Sequence, residues 1–305
     1  MGRIKKHHIN RIGISLLLAS LAIFLILYYS LKDNITDSKS THTTGFLEVH
    51  FIDVGQGDAI LIKDEDADML IDAGNNDQAK IVTDYLKSEN ITKLKYVIAS
   101  HPHTDHMGGM DAVLNTFPAD RIILPAVNYN TKTFHDVLNA IGSHKIKTKI
   151  AEVGDKYHLG DAVFTITAPN SPTYDNLNNY SVCIKLVYGK ISFLLAADAE
   201  DISEEEMLTN KIDLSADVLK IGHHGSSNSC TEAFLKAVHP TYGVISVGKD
   251  NEHGHPSARV MRSMLNHHIN LYRTDEQGTI VFTTDGKNIS VNRDAYQITN
   301  ADINK

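Results

Sequence analysis

Residues 101–106 read His-Pro-His-Thr-Asp-His and follow directly on the apolar run Tyr96-Val97-Ile98-Ala99-Ser100. Four side chains able to hold a metal, His101, His103, Asp105 and His106, fall at i, i+2, i+4 and i+5. An apolar strand ending in such a cluster delivers imidazoles and a carboxylate to the edge of a sheet, where a bound cation still meets water. The stretch is read as half of a two-metal site. A histidine-rich surface loop is the plain alternative in a chain with 17 histidines, but it gives no reason for this spacing after a β run.

The formal net charge is −8. Arg3, Lys5, Lys6, Arg11 and Lys32 lie in the first thirty-two residues with no acid among them, so the remainder is more acidic still. Such a balance lacks the basic face that non-specific nucleic-acid binding requires, although a local basic groove is compatible with it. Cys183 and Cys230 are the only cysteines; both read as small buried residues, and no disulfide framework supports the fold.

Residues 12–29 are apolar and uncharged and follow four basic residues. This is close to the shortest run that crosses a bilayer as a helix, and the preceding cations orient the amino terminus to the cytoplasm. The bulky Leu27-Tyr28-Tyr29-Ser30-Leu31 offers no small-x-small cleavage pair, which favours an uncleaved signal anchor over secretion after signal cleavage. The expected organisation is a cytoplasmic basic segment and transmembrane helix over 1–31, a polar linker over 32–45, an extracytoplasmic folded domain over 46–293 and a polar tail over 294–305.

Beyond the linker, strand-like runs at 47–54, 59–63, 69–74, 96–100, 121–124, 163–167, 181–188, 191–196, 218–222 and 242–247 alternate with helical spacing at 77–89, 109–117, 133–141, 232–237 and 257–267, before a terminal β meander through about 291. The alternation implies an α/β sandwich. Ser203-Glu204-Glu205-Glu206 has the form of a capping box and is expected as a solvated helix start.

Several of these strands end in candidate ligands: Asp72, the 101–106 cluster, Asp198, and His223 or His224, with His255 in a later loop. Active groups of α/β sheets gather where strands end. Two divalent cations so held would lower the pKa of a bound water from 15.7 to roughly 7, which points to hydrolysis.

The motif His-x-His-x-Asp-His, filled by His101, His103, Asp105 and His106, resembles that of the metallo-β-lactamase-fold hydrolases. "FIDVGQGDAILI", "LIDAG", "LLAADAE", "DVLKIGHHGSSNS", "GHPS" and "LYRTDEQGTI" further resemble the extracytoplasmic hydrolase domain of ComEC-type competence DNA channels, from about Phe46 to Ile280. The resemblance implies a four-layer αββα sandwich and, since no multi-span channel accompanies it, a stand-alone relative. It makes His101 and His103 ligands of a first metal, Asp105 and His106 ligands of a second, Asp198 the bridge, Asp72 the residue orienting the histidine loop and His224 the closing ligand, with His223 touching substrate. The superfamily's further histidine for the first metal is missing; Asn179, in Asn176-Leu177-Asn178-Asn179-Tyr180-Ser181, is expected as a weak amide ligand that tilts preference from Zn2+ toward Mn2+. His255 is expected as general acid or phosphate contact, and Ser226, Ser227 and the amides opening the next helix as a cradle for an anionic oxygen. Asp105, His223 and His255 are the expected catalytic residues.

The implied activity is a metal-dependent phosphodiesterase or nuclease acting outside the membrane on an anionic phosphodiester, DNA or a cell-envelope polymer. An ester, thioester or lactam hydrolase on the same site is the first alternative, and a metal-poor scaffold of an envelope or DNA-uptake assembly the second. The sequence points to the membrane, through the N-terminal helix, and to no protein partner.

Overall fold

Leu47, Val49 and Phe51 alternate inward along the first strand, and the same period of two recurs at Ile191, Phe193 and Leu195. Side chains of this pattern need a second apolar sheet to cover them. The computed structural model describes residues 45–65 and 67–304, and in it two mixed sheets supply each other's cover.

The first sheet takes β1 (Leu47–Phe51), β2 (Ile60–Asp64), β3 (Ala67–Ile71), β4 (Leu94–Ile98), β5 (Ala119–Leu124) and β6 (Lys147–Ile150) in chain order. The second takes β7 (Lys156–Leu159), β8 (Ala162–Ala168), β9 (Cys183–Tyr188), β10 (Ile191–Leu195), β11 (Val218–Lys220), β12 (Tyr242–Ile245) and β13 (Asn270–Arg273). The chain then returns to the first sheet, where β14 (Ile280–Thr284) pairs with β1 and β15 (Ile289–Val291) closes the edge. Each sheet is half antiparallel hairpins and half parallel strands: β3 to β6 run parallel in one, β10 to β13 in the other.

Parallel neighbours require crossovers. In the first sheet these carry α1 (Ala79–Ser88), α2 (Thr104–Met107), α3 (Met110–Thr116) and α4 (Lys132–His144). Val82, Leu86, Val113 and Phe134 share a core there with Leu70, Val97 and Ile122 of the strands. The second sheet carries α5 (Asp201–Thr209), α6 (Glu232–Val238) and α7 (Ala258–Asn266), whose Met207, Phe234 and Met261 pack with Leu194, Leu219 and Leu271. Between the sheets Phe282 meets Phe51 and Phe193 edge-on at 5.9 and 6.2 Å. The result is a mixed α/β fold with helices outside each of two facing sheets.

Two expectations change. The strand at 270–273 belongs to the second sheet, so the C-terminal strands are not one meander. The helix expected to start at Ser203 starts at Asp201, and Glu204 is buried because its carboxylate accepts from the Cys230 and Thr231 amides. The polar stretch after 293 docks on the second sheet: Tyr296 N–H donates to Leu271 O at 2.7 Å, and Asp302, in a helical turn at Asn300–Ile303, meets Arg273 at 3.1 Å. The expected helix over 12–29 lies outside the described residues; among those described, no helix is long and apolar enough to cross a membrane.

Candidate metal centre

The carboxyl ends of β3, β4, β10 and β11 face one cleft. Asp72, one residue past β3, has φ +58°; Ala197, His223 and His224 likewise take left-handed backbone at +44°, +46° and +53°. Each such non-glycine residue costs roughly 1–2 kcal/mol, and strain of this kind persists where the surroundings demand a particular side-chain direction. The demand here is convergence on Asp198.

Asp198 is 2% exposed. Its Oδ2 lies 3.2 Å from His106 Nε2 and 3.8 Å from His101 Nε2, while Oδ1 lies 3.4 Å from His224 Nε2. Asp105 Oδ2 is 3.3 Å from the same His224 nitrogen. Asp105, His106, Asp198 and His224 bring one ligand atom each to within 4.8 Å of one another. On the other side of Asp198, His101 Nε2 and His103 Nδ1 are 3.0 Å apart.

The opposite ring nitrogens are anchored. His106 Nδ1 meets Asp72 Oδ2 at 2.8 Å, and Ser100 binds the same carboxylate through its hydroxyl at 2.6 Å and its amide at 2.8 Å. His224 Nδ1 meets the Ser246 carbonyl at 2.8 Å, and His101 Nδ1 meets Ser100 Oγ at 3.0 Å. An acceptor on Nδ1 puts the lone pair on Nε2, the tautomer a metal ligand needs.

Three of the inward atoms, His106 Nε2, His224 Nε2 and Asp198 Oδ1, are buried and have no hydrogen-bond partner among the described residues. Buried polar atoms are rarely left so. Two imidazole nitrogens beside two carboxylates form a donor set suited to Zn2+ or Mn2+, so the residues present fit a divalent ion. The electrostatics agree. Burial opposes charge on His106, yet Asp198, Asp105 and Asp72 hold its pKa well above the ordinary value. Burial also works against Asp198, and the surrounding imidazoles still hold it well below the usual carboxylate range. The centre is built to stabilise positive charge.

Other expected residues are placed differently. Asn179 is buried, but its Oδ1 accepts from the Glu200 and Ser203 amides at 3.2 and 3.3 Å, so it caps α5 and does not offer that oxygen as a ligand. The Cys230 and Thr231 amides just before α6 are taken by Glu204, and the Phe234 amide in its first turn by Thr231 Oγ1, which removes these three from the anion cradle expected around Ser226 and Ser227. Ser226 Oγ accepts from Asn228 N–H at 3.3 Å, and Ser227 is exposed. His255 is half-buried with its ring 5.3 Å from that of His223. Burial, with the imidazoles of His223, His224 and His253, pulls its pKa down to about 4.

Sequence reasoning passed over Asp58, Lys220 and Glu200. Asp58 and Lys220 pair at 3.0 Å beneath His224, and Glu200 meets His223. The Gly-Gln-Gly-Asp turn was the available signal for Asp58. Gly57 has φ +133° and a Cβ there would lie 2.2 Å from the Asp105 carbonyl, so only glycine lets this turn lie against the ligand loop. A second acidic group, Glu48, His50 and Glu89, already holds a cation in Lys63, whose Nζ is 2.8 Å from Glu89 and 3.5 Å from Glu48.

Among curated proteins, the chain is 29% identical over 253 residues to ComE operon protein 3 of Bacillus subtilis, covering 77% of this chain and 33% of that one. It is 32% identical over 225 residues to Recombination protein 2 of Haemophilus influenzae, covering 71% and 26%. The chain thus spans about a third or less of these relatives. The metallo-beta-lactamase fold protein YhfI of Bacillus subtilis shares the fold, at a TM-score of 0.52 and 13% identity, over 78% of this chain and 100% of that one. The model of the family described as "Metallo-beta-lactamase superfamily" matches residues 52–249, the span that holds every residue of the Asp198 centre, and the chain belongs to that superfamily.

Proposed function

We propose that this chain is a metal-dependent phosphodiesterase acting outside the membrane on an anionic phosphodiester, DNA or a cell-envelope polymer, and held there by residues 12–29. The observation that carries the reading is the convergence of His106 Nε2, His224 Nε2 and Asp198 Oδ1, buried and unpartnered, from two different sheets. Similarity to a protein named for recombination supports a nucleic-acid substrate.

Divalent ions bound here would supply a water of lowered pKa and a Lewis acid toward a phosphoryl oxygen. The chain's own groups do the rest. Asp72, Ser100 and the Ser246 carbonyl engage the Nδ1 atoms of His106, His101 and His224, so that Nε2 of each ring is the nitrogen turned inward. Asp105 and His223, with side chains 27% and 22% exposed, form the open face at which substrate enters. His255, neutral at pH 7, offers one ring N–H to a substrate oxygen at that face.

The test is turnover of bis-p-nitrophenyl phosphate and single-stranded DNA by the full chain, with Mn2+ and with Zn2+. Asp198→Ala and His106→Ala are expected to abolish cleavage while circular dichroism is unchanged. Undiminished turnover in either variant would overturn the proposal, and preferential cleavage of p-nitrophenyl acetate, a thioester or a lactam would move the reaction to carbonyl centres.

A further inference from the structure

Within the metal-site reading, on which this step rests, the two sides of Asp198 are unequal. One side has Asp105, His106 and His224. The other has His101 and His103 alone, a short donor set for a cation that usually takes four or more ligands.

We infer that His223, oriented by Glu200, is the additional ligand on the His101–His103 side and that Asp198 stands between the two cation positions. His223 Nε2 lies 3.8 Å from Asp198 Oδ2, the same separation as His101 Nε2, and both share that oxygen with His106 Nε2 at 3.2 Å. His224, the next residue, addresses the other oxygen at 3.4 Å. Successive residues of an extended chain point to opposite faces. The paired left-handed conformations of His223 and His224 bring both rings to one carboxylate, one toward each oxygen.

The far nitrogen of His223 is handled as in the other ligand histidines. Nδ1 meets Glu200 Oε1 at 2.9 Å. Glu200 is itself held by the side-chain amides of Asn178, at 2.9 Å to Oε1, and Asn176, at 2.7 Å to Oε2. With Glu200 as acceptor, His223 Nδ1–H donates to the carboxylate and the ring lone pair lies on Nε2, as with Asp72 and His106. Asn178 Nδ2 also lies 3.3 Å from each ring nitrogen of His223. Its shorter bond, 2.9 Å to Glu200 Oε1, is the better made of the three, so this amide serves chiefly to hold Glu200. The asparagine-rich turn therefore supports a ligand from behind instead of providing one.

The experiment is metal stoichiometry and affinity of the full chain, by elemental analysis after equilibrium dialysis and by titration calorimetry with Mn2+ or Zn2+ alone. The parent chain is expected to hold two ions and show an exchange-coupled Mn2+ EPR signal. His223→Ala is expected to keep one ion and give an uncoupled six-line spectrum. Glu200→Gln, which preserves shape, should weaken one of the two ions by ~10–100-fold and answers the question if His223→Ala does not fold. Two ions bound at parental affinity in both variants would overturn the role of His223 and leave the metal centre standing. No ion in the parent chain would overturn both.

Discussion

Asp58 and Lys220 are ion-paired at 3.0 Å inside the protein, with side chains 1% and 0% exposed. Lys220 also donates to the Ile221 carbonyl at 2.9 Å, and Asp58 Oδ1 lies 3.6 Å from His224 Nδ1. The pair joins the turn after β1 to the strand that delivers the two adjacent histidines. Removing one member leaves a buried uncompensated charge. Lys220→Met should cost about 3–5 kcal/mol, read by urea denaturation, and the double variant Asp58→Asn/Lys220→Met should regain most of it. A single variant as stable as the parent would show that the pair is not the anchor of this strand.

Asp72 fixes the His106 ring and is in turn held by Ser100. An amide in its place can turn its NH2 toward Nδ1 and draw the lone pair away from the inward side. Asp72→Asn is expected to lower metal affinity by ~10–100-fold with the fold retained, measured by calorimetric titration with Zn2+.

Asp68 lies on β3, where burial raises its carboxyl pKa to about 6; Asp64 adds to the rise and Lys63 opposes it. The folded state thus holds its proton to higher pH than the unfolded state. Stability contributed by this group is present below the unfolded value of 3.8 and is lost as pH rises through 6. Asp68→Asn should be more stable than the parent at pH 8 and equal to it near pH 4. Urea midpoints that differ equally at both pH values would refute this.

Gly57 admits the Asp105 carbonyl where a Cβ would stand 2.2 Å away. Gly57→Ala should cost more than about 1 kcal/mol of stability from backbone conformation alone. It should also impair metal binding, because the displaced neighbour is the ligand loop itself. Calorimetry and thermal melting of the same variant separate the two effects.

Truncation after Arg293 removes Tyr296, Ile298 and Ile303 from the helical side of the second sheet and takes Asp302 from Arg273. Fully covered side chains of this kind stabilise by ~1.5–3 kcal/mol each; these three are partly buried, so a smaller loss per residue is expected. A truncated chain with the parental melting curve would show that the docked stretch 294–305 adds nothing to stability.

The ligand cluster was legible because its signal is local: apolar residues, then imidazoles and carboxylates at strand ends. What escaped reading depends on partners far apart in the chain. Lys220 sits in an apolar run and reads as a strand's solvent-facing residue, although its side chain turns inward to Asp58. Ser203 and Glu204 match a helix-start pattern, yet Glu204 serves two amides of another loop. The strands β6 and β7 carry mostly exposed lysine and polar residues, so their pairing comes from neighbouring strands and not from their own apolar pattern. The C-terminal stretch is polar in composition and still docks, through Arg273 and a few apolar side chains.

The Asp198 centre draws His101, His103, Asp105 and His106 from one sheet and Asp198 and His224 from the other. An ion held there is a rivet through two half-proteins, and its binding energy becomes part of what keeps them together. With free ion 100-fold above Kd, this amounts to about 2.7 kcal/mol of added resistance to unfolding. The durability of the molecule is therefore set partly by the metal supply of its surroundings, and starvation by a chelator would loosen the architecture along with the chemistry.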